Sequence, residues 1–228
     1  TFLSLLLVPF IGIEVKGSKR CLDLFFFPRF QPVEIIKPFF IVTLSLMLTI
    51  QSRRLYFKYF LSILFIVPIL LLLVYQPDIG QTLLITMVWL ALIFVSGINI
   101  LIFFVFFLLA GSIVSYLVIF VPKFEYIKIR ILAFLDSNSG NNYQAEKASD
   151  AIINGGFFGK GIGEGTLNSR VPEAHTDYII SVISEEFGAI IVIGILFLYL
   201  IFSYKVIQKI NLLNEDTYKL ILIGCISS

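Results

Sequence analysis

Residues 98–121 read INILIFFVFFLLAGSIVSYLVIFV, without one Asp, Glu, Lys or Arg. About 20 apolar residues in a helix cross the ~30 Å hydrocarbon layer of a bilayer, and this run is long enough to do so. The pattern recurs on both sides of it. Further apolar windows lie at 33–51, 59–75, 79–96 and 178–204, with partial ones at 1–13 and 218–228. Composition agrees, with 58% hydrophobic and 14% charged residues against about 25% charged in soluble domains, and a mean hydropathy of +0.97. The expected fold class is an all-α polytopic membrane protein, a single membrane domain over 1–228. Because the chain opens and stops inside apolar runs, it reads as an internal piece of a larger protein, and residues 1–13 lack the basic stretch and cleavage site of a signal peptide.

The quoted run ends at a polar island, 122–177, which holds the only histidine and the run Pro172-Glu173-Ala174-His175-Thr176-Asp177. Basic residues in short loops set orientation. Arg53, Arg54 and Lys58 mark the cytoplasmic side, and Lys205 and Lys209 join them if every segment crosses once. The island is then an extracytoplasmic loop, and the break Gln76-Pro77-Asp78-Ile79-Gly80 lies on the same outer side. So do Lys16, Lys19, Arg20 and Arg29, against the positive-inside tendency. A lipid pyrophosphate would give those cations a task, since Lys and Arg bind phosphate through charge-assisted hydrogen bonds.

Other functional classes find little support. A net charge of +2 with no long basic run does not suggest nucleic acid, although it suits contact with anionic membrane lipids. Cys21 and Cys225 form no C-x-x-C pair and read as packing residues. Lys160 lies between Gly159 and Gly161, but the spacing matches no nucleotide-binding loop. His175, alone, is poor support for a zinc site.

Five motifs then fall in order: Gly17-Ser18-Lys19-Arg20-Cys21-Leu22, Gln31-Pro32-Val33-Glu34-Ile35-Ile36-Lys37, the break at 76–80, Gly155-Gly156-Phe157-Phe158-Gly159-Lys160-Gly161-Ile162-Gly163, and PEAHTD at 172–177 with Glu185-Glu186-Phe187-Gly188. In order and spacing they resemble the SEDS family, which comprises FtsW, RodA and SpoVE, over nearly the whole chain. Each is weak alone; five in register are specific. Gly163-Glu164-Gly165-Thr166 resembles the FtsW branch more than the RodA branch. The resemblance implies a ten-helix SEDS-type bundle with a large extracytoplasmic loop, of which the chain would lack the first two helices and the last one or two. It also implies a glycosyltransferase of the bacterial plasma (inner) membrane that polymerises lipid II, with a class B penicillin-binding protein and other division proteins as partners in septal wall synthesis. Departures from the family pattern stand at Cys21 (usually Trp), Val33 (usually Ser), Pro38 (usually aliphatic) and Gln81 (usually Thr). Of these, Pro38 is acceptable inside a helix only near its first turn.

By the same resemblance Asp177 is the catalytic base, Glu34 and Lys37 shape a polar cavity, and Lys19, Arg20, Lys160 and Arg170 are candidate contacts to pyrophosphate. Glu173 and His175 join the substrate-binding set, His175 as a hydrogen-bonding neighbour of Asp177. Read from the residues alone, Thr176 or Asp177 equally suits the cap of a helix opening near Tyr178. On that helix Asp177, Ser181, Glu185 and Gly188 share a face, or else Glu185 and Glu186 belong to its opening turn. Glu34 and Lys37, at i and i+3, can pair, either at the interface or within a cavity. No cofactor is implied with certainty; Mg or Mn could bridge pyrophosphate to carboxylates. Two other readings remain open: a lipid-II flippase and a non-catalytic scaffold of the division machinery.

Overall fold

The computed structural model describes residues 2–15, 18–24, 27–50, 56–76, 78–125, 128–129, 143–165 and 179–228. Its helices are α1 (Phe2–Ile11), α2 (Pro32–Thr49), α3 (Phe57–Tyr75), α4 (Ile79–Val95), α5 (Ile100–Phe120), α6 (Tyr143–Gly155), α7 (Ile179–Phe187), α8 (Ala189–Leu212) and α9 (Asp216–Ser227). Four of them, α2, α3, α5 and α8, are long and apolar enough to cross a membrane, while α4 is apolar but shorter. The chain divides into two compact units, Thr1–Phe124 with Gln208–Ser228, and Glu125–Ile207.

In the first unit α2, α3, α4 and α9 surround a core of Val33, Phe40, Leu44, Ile69, Leu73, Ile85 and Leu92, to which Leu5 of α1 adds. Several polar side chains inside it find hydrogen-bond partners, as buried hydroxyls usually do, while Ser45 Oγ is buried and takes none among the described residues. Thr82 Oγ1 donates to Asp78 O at 2.7 Å and Thr86 Oγ1 to Thr82 O at 2.7 Å. Ser62 Oγ donates to Tyr59 O and accepts from Trp89 Nε1. Where α9 crosses α2, Gly224 leaves room for Ile41, whose Cγ2 occupies the space a Cβ would need. Small residues serve this way in membrane helices, where close packing replaces the hydrophobic drive available in water.

The helix ends have local causes. Proline at the first position of α2 lacks a donor that the helix would leave unpaired anyway. Asp78 caps α4 through Gln81 N at 3.3 Å, and Asn99 caps α5 through Leu101 N at 2.9 Å. Pro38 departs from expectation, standing in the second turn of α2 rather than the first. Its missing N–H deprives the Glu34 carbonyl of its helical donor; membrane helices accommodate such prolines through neighbouring groups.

One element is absent from the hydropathy reading. Between α1 and α2 lies an antiparallel sheet of β1 (Ile13–Val15), β2 (Ser18–Leu24) and β3 (Phe27–Phe30) in the order β1-β2-β3. The membrane part is all-α, and this small sheet is appended to it. A register shift interrupts each pairing, between Ile13 and Glu14 in one and between Leu22 and Leu24 in the other.

The second unit contains α6, α7 and the part of α8 up to Ile207. The apolar window at 178–204 is divided in two. Gly188, at φ +83°, ends α7, and α8 starts at the next residue. A left-handed residue at a helix C-terminus favours glycine because it has no Cβ to clash.

Candidate functional site

At one end of the first unit, polar side chains gather where α2 and α4 begin. Lys37 Nζ donates to Glu34 Oε1 at 2.9 Å and to Oε2 at 2.8 Å. Gln81 Nε2, from the first turn of α4, donates to Glu34 Oε1 at 2.8 Å. Asp78, buried, accepts from Gln31 Nε2 at 3.1 Å and from Gln81 N at 3.3 Å. Gln76, also buried, donates through Nε2 to Leu5 O at 3.2 Å and so ties α1 to the same end. Two acidic residues, one lysine and three amides thus knit the helix starts together.

The cluster divides by exposure. The Lys37 side chain is 15% exposed and that of Glu34 is 51% exposed, so the carboxylate is open while the ammonium lies under it. A lysine covered in this way needs a counter-charge, and Glu34 supplies it three residues away. The carboxylate of Asp78 lies at the N-terminus of α4, where the helix dipole favours negative charge. Gln81 Oε1 is buried and takes no hydrogen bond among the described residues. An acceptor in that state stands ready for a hydroxyl or amide donor. The sequence reading did not include Gln31, Asp78 or Gln81 in the site. Gln31 and Asp78 stand in quoted motifs and Gln81 at a departure from the family pattern, but only Asp78 carried a physical signal of its own, as an acidic residue directly before an apolar helix.

A cavity of about 700 Å³ lies at the opposite end of this unit, lined by residues including Thr49, Lys58, Ser96, Asn214, Glu215 and Lys219. It is separate from the cluster, because α2 and α4 present their C-terminal ends there.

In the second unit the glycine-rich stretch folds onto the junction of α7 and α8. Lys160 N donates to Glu185 O at 2.9 Å, Gly161 N to Glu186 O at 3.0 Å, and Ala189 N to Gly156 O at 2.9 Å. A Cβ on Gly155 would meet Ser184 O, one on Gly159 would meet Glu186 O, and one on Gly188 would meet Phe157 O. Backbone fills the space of the missing side chains, which explains the glycines without any phosphate. Ser181, Ser184 and Glu185 are buried, so the shared polar face of α7 points inward as its fourfold spacing indicates. Glu185 belongs to the last turns of α7 rather than its opening turn. Its carboxylate is 0% exposed and lies 3.7 Å from Lys160 Nζ.

The remaining site candidates divide by where they lie. Lys19 and Arg20 stand on β2, with Lys19 paired in register to Glu14. Asp177, Arg170, Glu173 and His175 lie outside the described residues. Among the described residues no group of three or more His, Cys, Asp or Glu is arranged to hold a metal ion.

With that geometry in place, the sequence can be set beside known proteins. The profile of the FtsW/RodA/SpoVE family, described as "Cell cycle protein", matches residues 1–228. A probable peptidoglycan glycosyltransferase FtsW from Trichlorobacter lovleyi is 35% identical over 227 residues, covering 95% of this chain and 57% of that protein. Its counterpart from Caulobacter vibrioides is 33% identical over 220 residues, covering 91% and 53% respectively. The chain therefore spans little more than half the length of these curated relatives. Among solved structures, a chain from "Structural coordination of polymerization and crosslinking by a peptidoglycan synthase complex" is similar with a TM-score of 0.72 at 24% identity, over 99% of this chain and 63% of that one. The Thermus thermophilus rod shape determining protein RodA gives 0.61 at 22% identity, over 99% and 58%. At those identities the structures share the fold.

Proposed function

The chain belongs to the FtsW/RodA/SpoVE family of cell cycle proteins, and on that premise we propose that it is the greater part of the catalytic membrane domain of a peptidoglycan glycosyltransferase acting in septal wall synthesis. The substrate is lipid II and the partner a class B penicillin-binding protein. The observation that carries this reading is the five-motif series, ending in PEAHTD, on a chain whose relatives are named as probable peptidoglycan glycosyltransferases.

In the proposed reaction the 4-hydroxyl of the acceptor sugar attacks the anomeric carbon of the donor. The bond from that carbon to the pyrophosphate oxygen breaks, and undecaprenyl pyrophosphate leaves with the electron pair. Asp177 takes the hydroxyl proton, a role that contributes about 10²–10⁴-fold when the base is well placed. Lys19, Arg20 and Arg170 are the cations for the pyrophosphate. Glu34, held by Lys37 and Gln81, presents a fixed carboxylate to the sugar hydroxyls and amides. The donor is already activated, so no nucleotide is consumed.

A carrier of the same lipid would need polar groups near the middle of the bilayer. Glu34, Lys37, Lys58 and Asp78 all stand near helix ends, and α4 and α5 contain no Asp, Glu, Lys or Arg, which favours chemistry at the membrane face. The test is lipid-II polymerisation by the intact protein with its penicillin-binding partner, transpeptidation blocked, comparing wild type with Asp177→Ala at matched folding. Glycan from the wild type alone supports both polymerase and base. Glycan from both removes Asp177 from the role, and glycan from neither, in a validated assay, favours the carrier or scaffold.

A further inference from the structure

Lys160 is attached to α7 twice. Its backbone N–H bonds Glu185 O at 2.9 Å, and its ammonium lies 3.7 Å from the Glu185 carboxylate. The next residue, Gly161, bonds Glu186 O at 3.0 Å. The glycine-rich turn therefore holds the last turn of α7 by its main chain and by one charge pair, while Gly155, Gly159 and Gly188 let the two backbones touch.

The charge pair is asymmetric. Glu185 is 0% exposed and Lys160 34% exposed, so the carboxylate is the inner member of the pair and the ammonium the outer one. Swinging the ammonium out to a phosphate would give up an ion pair with a fully buried carboxylate, and a buried charge gains more from each partner than an exposed one does. A lysine free to follow a substrate has a solvated ammonium on a flexible stem. Here the main-chain N–H and the ammonium of Lys160 are both engaged with one helix.

We propose that Lys160 and Glu185 are a positioning pair that fixes the axial rotation of α7 against the glycine-rich turn, and that Lys160 is not a contact to substrate. An α-helix turns 100° per residue, so a small slip at Glu185 redirects every side chain of α7. Asp177 precedes the first residue of α7, Ile179, by two positions. The consequence for turnover rests on the polymerase reading; the consequence for α7 does not.

The experiment compares Lys160→Met, Glu185→Gln and the double variant of the intact protein in lipid nanodiscs, by steady-state lipid-II polymerisation and by amide hydrogen exchange across 179–190. Each single change is expected to lower kcat about tenfold with KM held within about twofold, since misplaced groups cost turnover rather than binding. The double variant should be no worse than either single, and Lys160→Arg should recover most of what Lys160→Met loses. Exchange in α7 should rise in both singles. A rise in KM for Lys160→Met, with kcat and α7 exchange unaltered by Glu185→Gln, would overturn the proposal. If the wild type makes no glycan, the polymerase reading fails by itself and exchange decides: faster exchange sustains the pair, unchanged exchange removes it. Should Lys160→Met not fold, Glu185→Gln, which keeps shape and hydrogen bonding, decides by the same readouts.

Discussion

Gln81 and Glu34 meet across 47 positions of sequence in a 2.8 Å hydrogen bond. The contact joins the first turn of α4 to the first turn of α2, and Gln81 shares Glu34 Oε1 with Lys37, whose ammonium also reaches Oε2. Gln81 is also a position where the chain departs from its family resemblance, which favours Thr. A threonine hydroxyl is too short to span the distance that the glutamine amide covers.

Removing that contact gives the first prediction. Gln81→Ala should lower stability by roughly 0.5–1 kcal/mol, a modest value because Glu34 is half exposed. In a double-mutant cycle with Glu34→Ala, thermal unfolding should show positive coupling between the two positions. Strict additivity would mean the bond is not formed in solution.

Asp78 should be more sensitive, because it is buried, caps α4 and accepts from Gln31. Asp78→Ala is expected to cost about 2 kcal/mol, combining a lost cap with an amide left without its acceptor. Asp78→Asn retains an oxygen acceptor for the cap and should cost less than half as much. The measurement is thermal unfolding in detergent, and equal costs for the two variants would show that the cap contributes nothing.

Glycine substitutions separate packing from composition. Gly188→Ala places a methyl group against Phe157 O in a left-handed backbone conformation, and should destabilise by about 3 kcal/mol or prevent folding. Gly194 lies within α8 with nothing within 4 Å of its Cβ position. Gly194→Ala should be neutral or stabilising by up to about 1 kcal/mol. Expression level and unfolding temperature report both, and parity between them would remove the backbone contact at Gly188.

If Lys19 and Arg20 hold the pyrophosphate, neutralising either should act on substrate affinity. Lys19→Gln or Arg20→Gln is expected to raise KM for lipid II about tenfold, equivalent to one charge-assisted hydrogen bond, with kcat nearly constant. Added salt should weaken wild-type binding more than that of the variants, since screening acts on the charge that has been removed. A fall in kcat at constant KM would instead place these residues in support of the fold.

Membrane helices were legible because twenty apolar residues have few alternatives. The window at 98–121 became α5 at Ile100–Phe120 with little change. Positions that bend or divide helices were harder to read. Glu185 and Glu186 interrupt the apolar run just before Gly188, but two charges do not by themselves end a helix, and the division between α7 and α8 depends on backbone that folds back from Phe157. The sheet at 13–30 was missed because its strands are short and interrupted, and their partners are set by register rather than by composition. At the site, the pairing of Glu34 with Lys37 follows from spacing alone, whereas those of Gln81 with Glu34 and of Lys160 with Glu185 join residues distant in sequence. No local pattern encodes them. The inward face of α7 was readable in part, as Ser181 and Glu185 repeat at four, but the pairing of Glu185 with Lys160 was not.

In water, an apolar stripe tells a helix which way to face. α5 has no such stripe: it has no buried residues, and its side chains are apolar almost all round. Lipid tails accept every side of it equally, so hydropathy does not set its rotation and what holds it on α4 is shape. That shape is aromatic. Phe103 stands 5.0 Å from Phe94 and Phe106 stands 5.7 Å from Trp89, ring centre to ring centre. Four rings therefore act as the gear teeth that set the azimuth of α5 on α4, in a place where hydrophobicity itself has no preference.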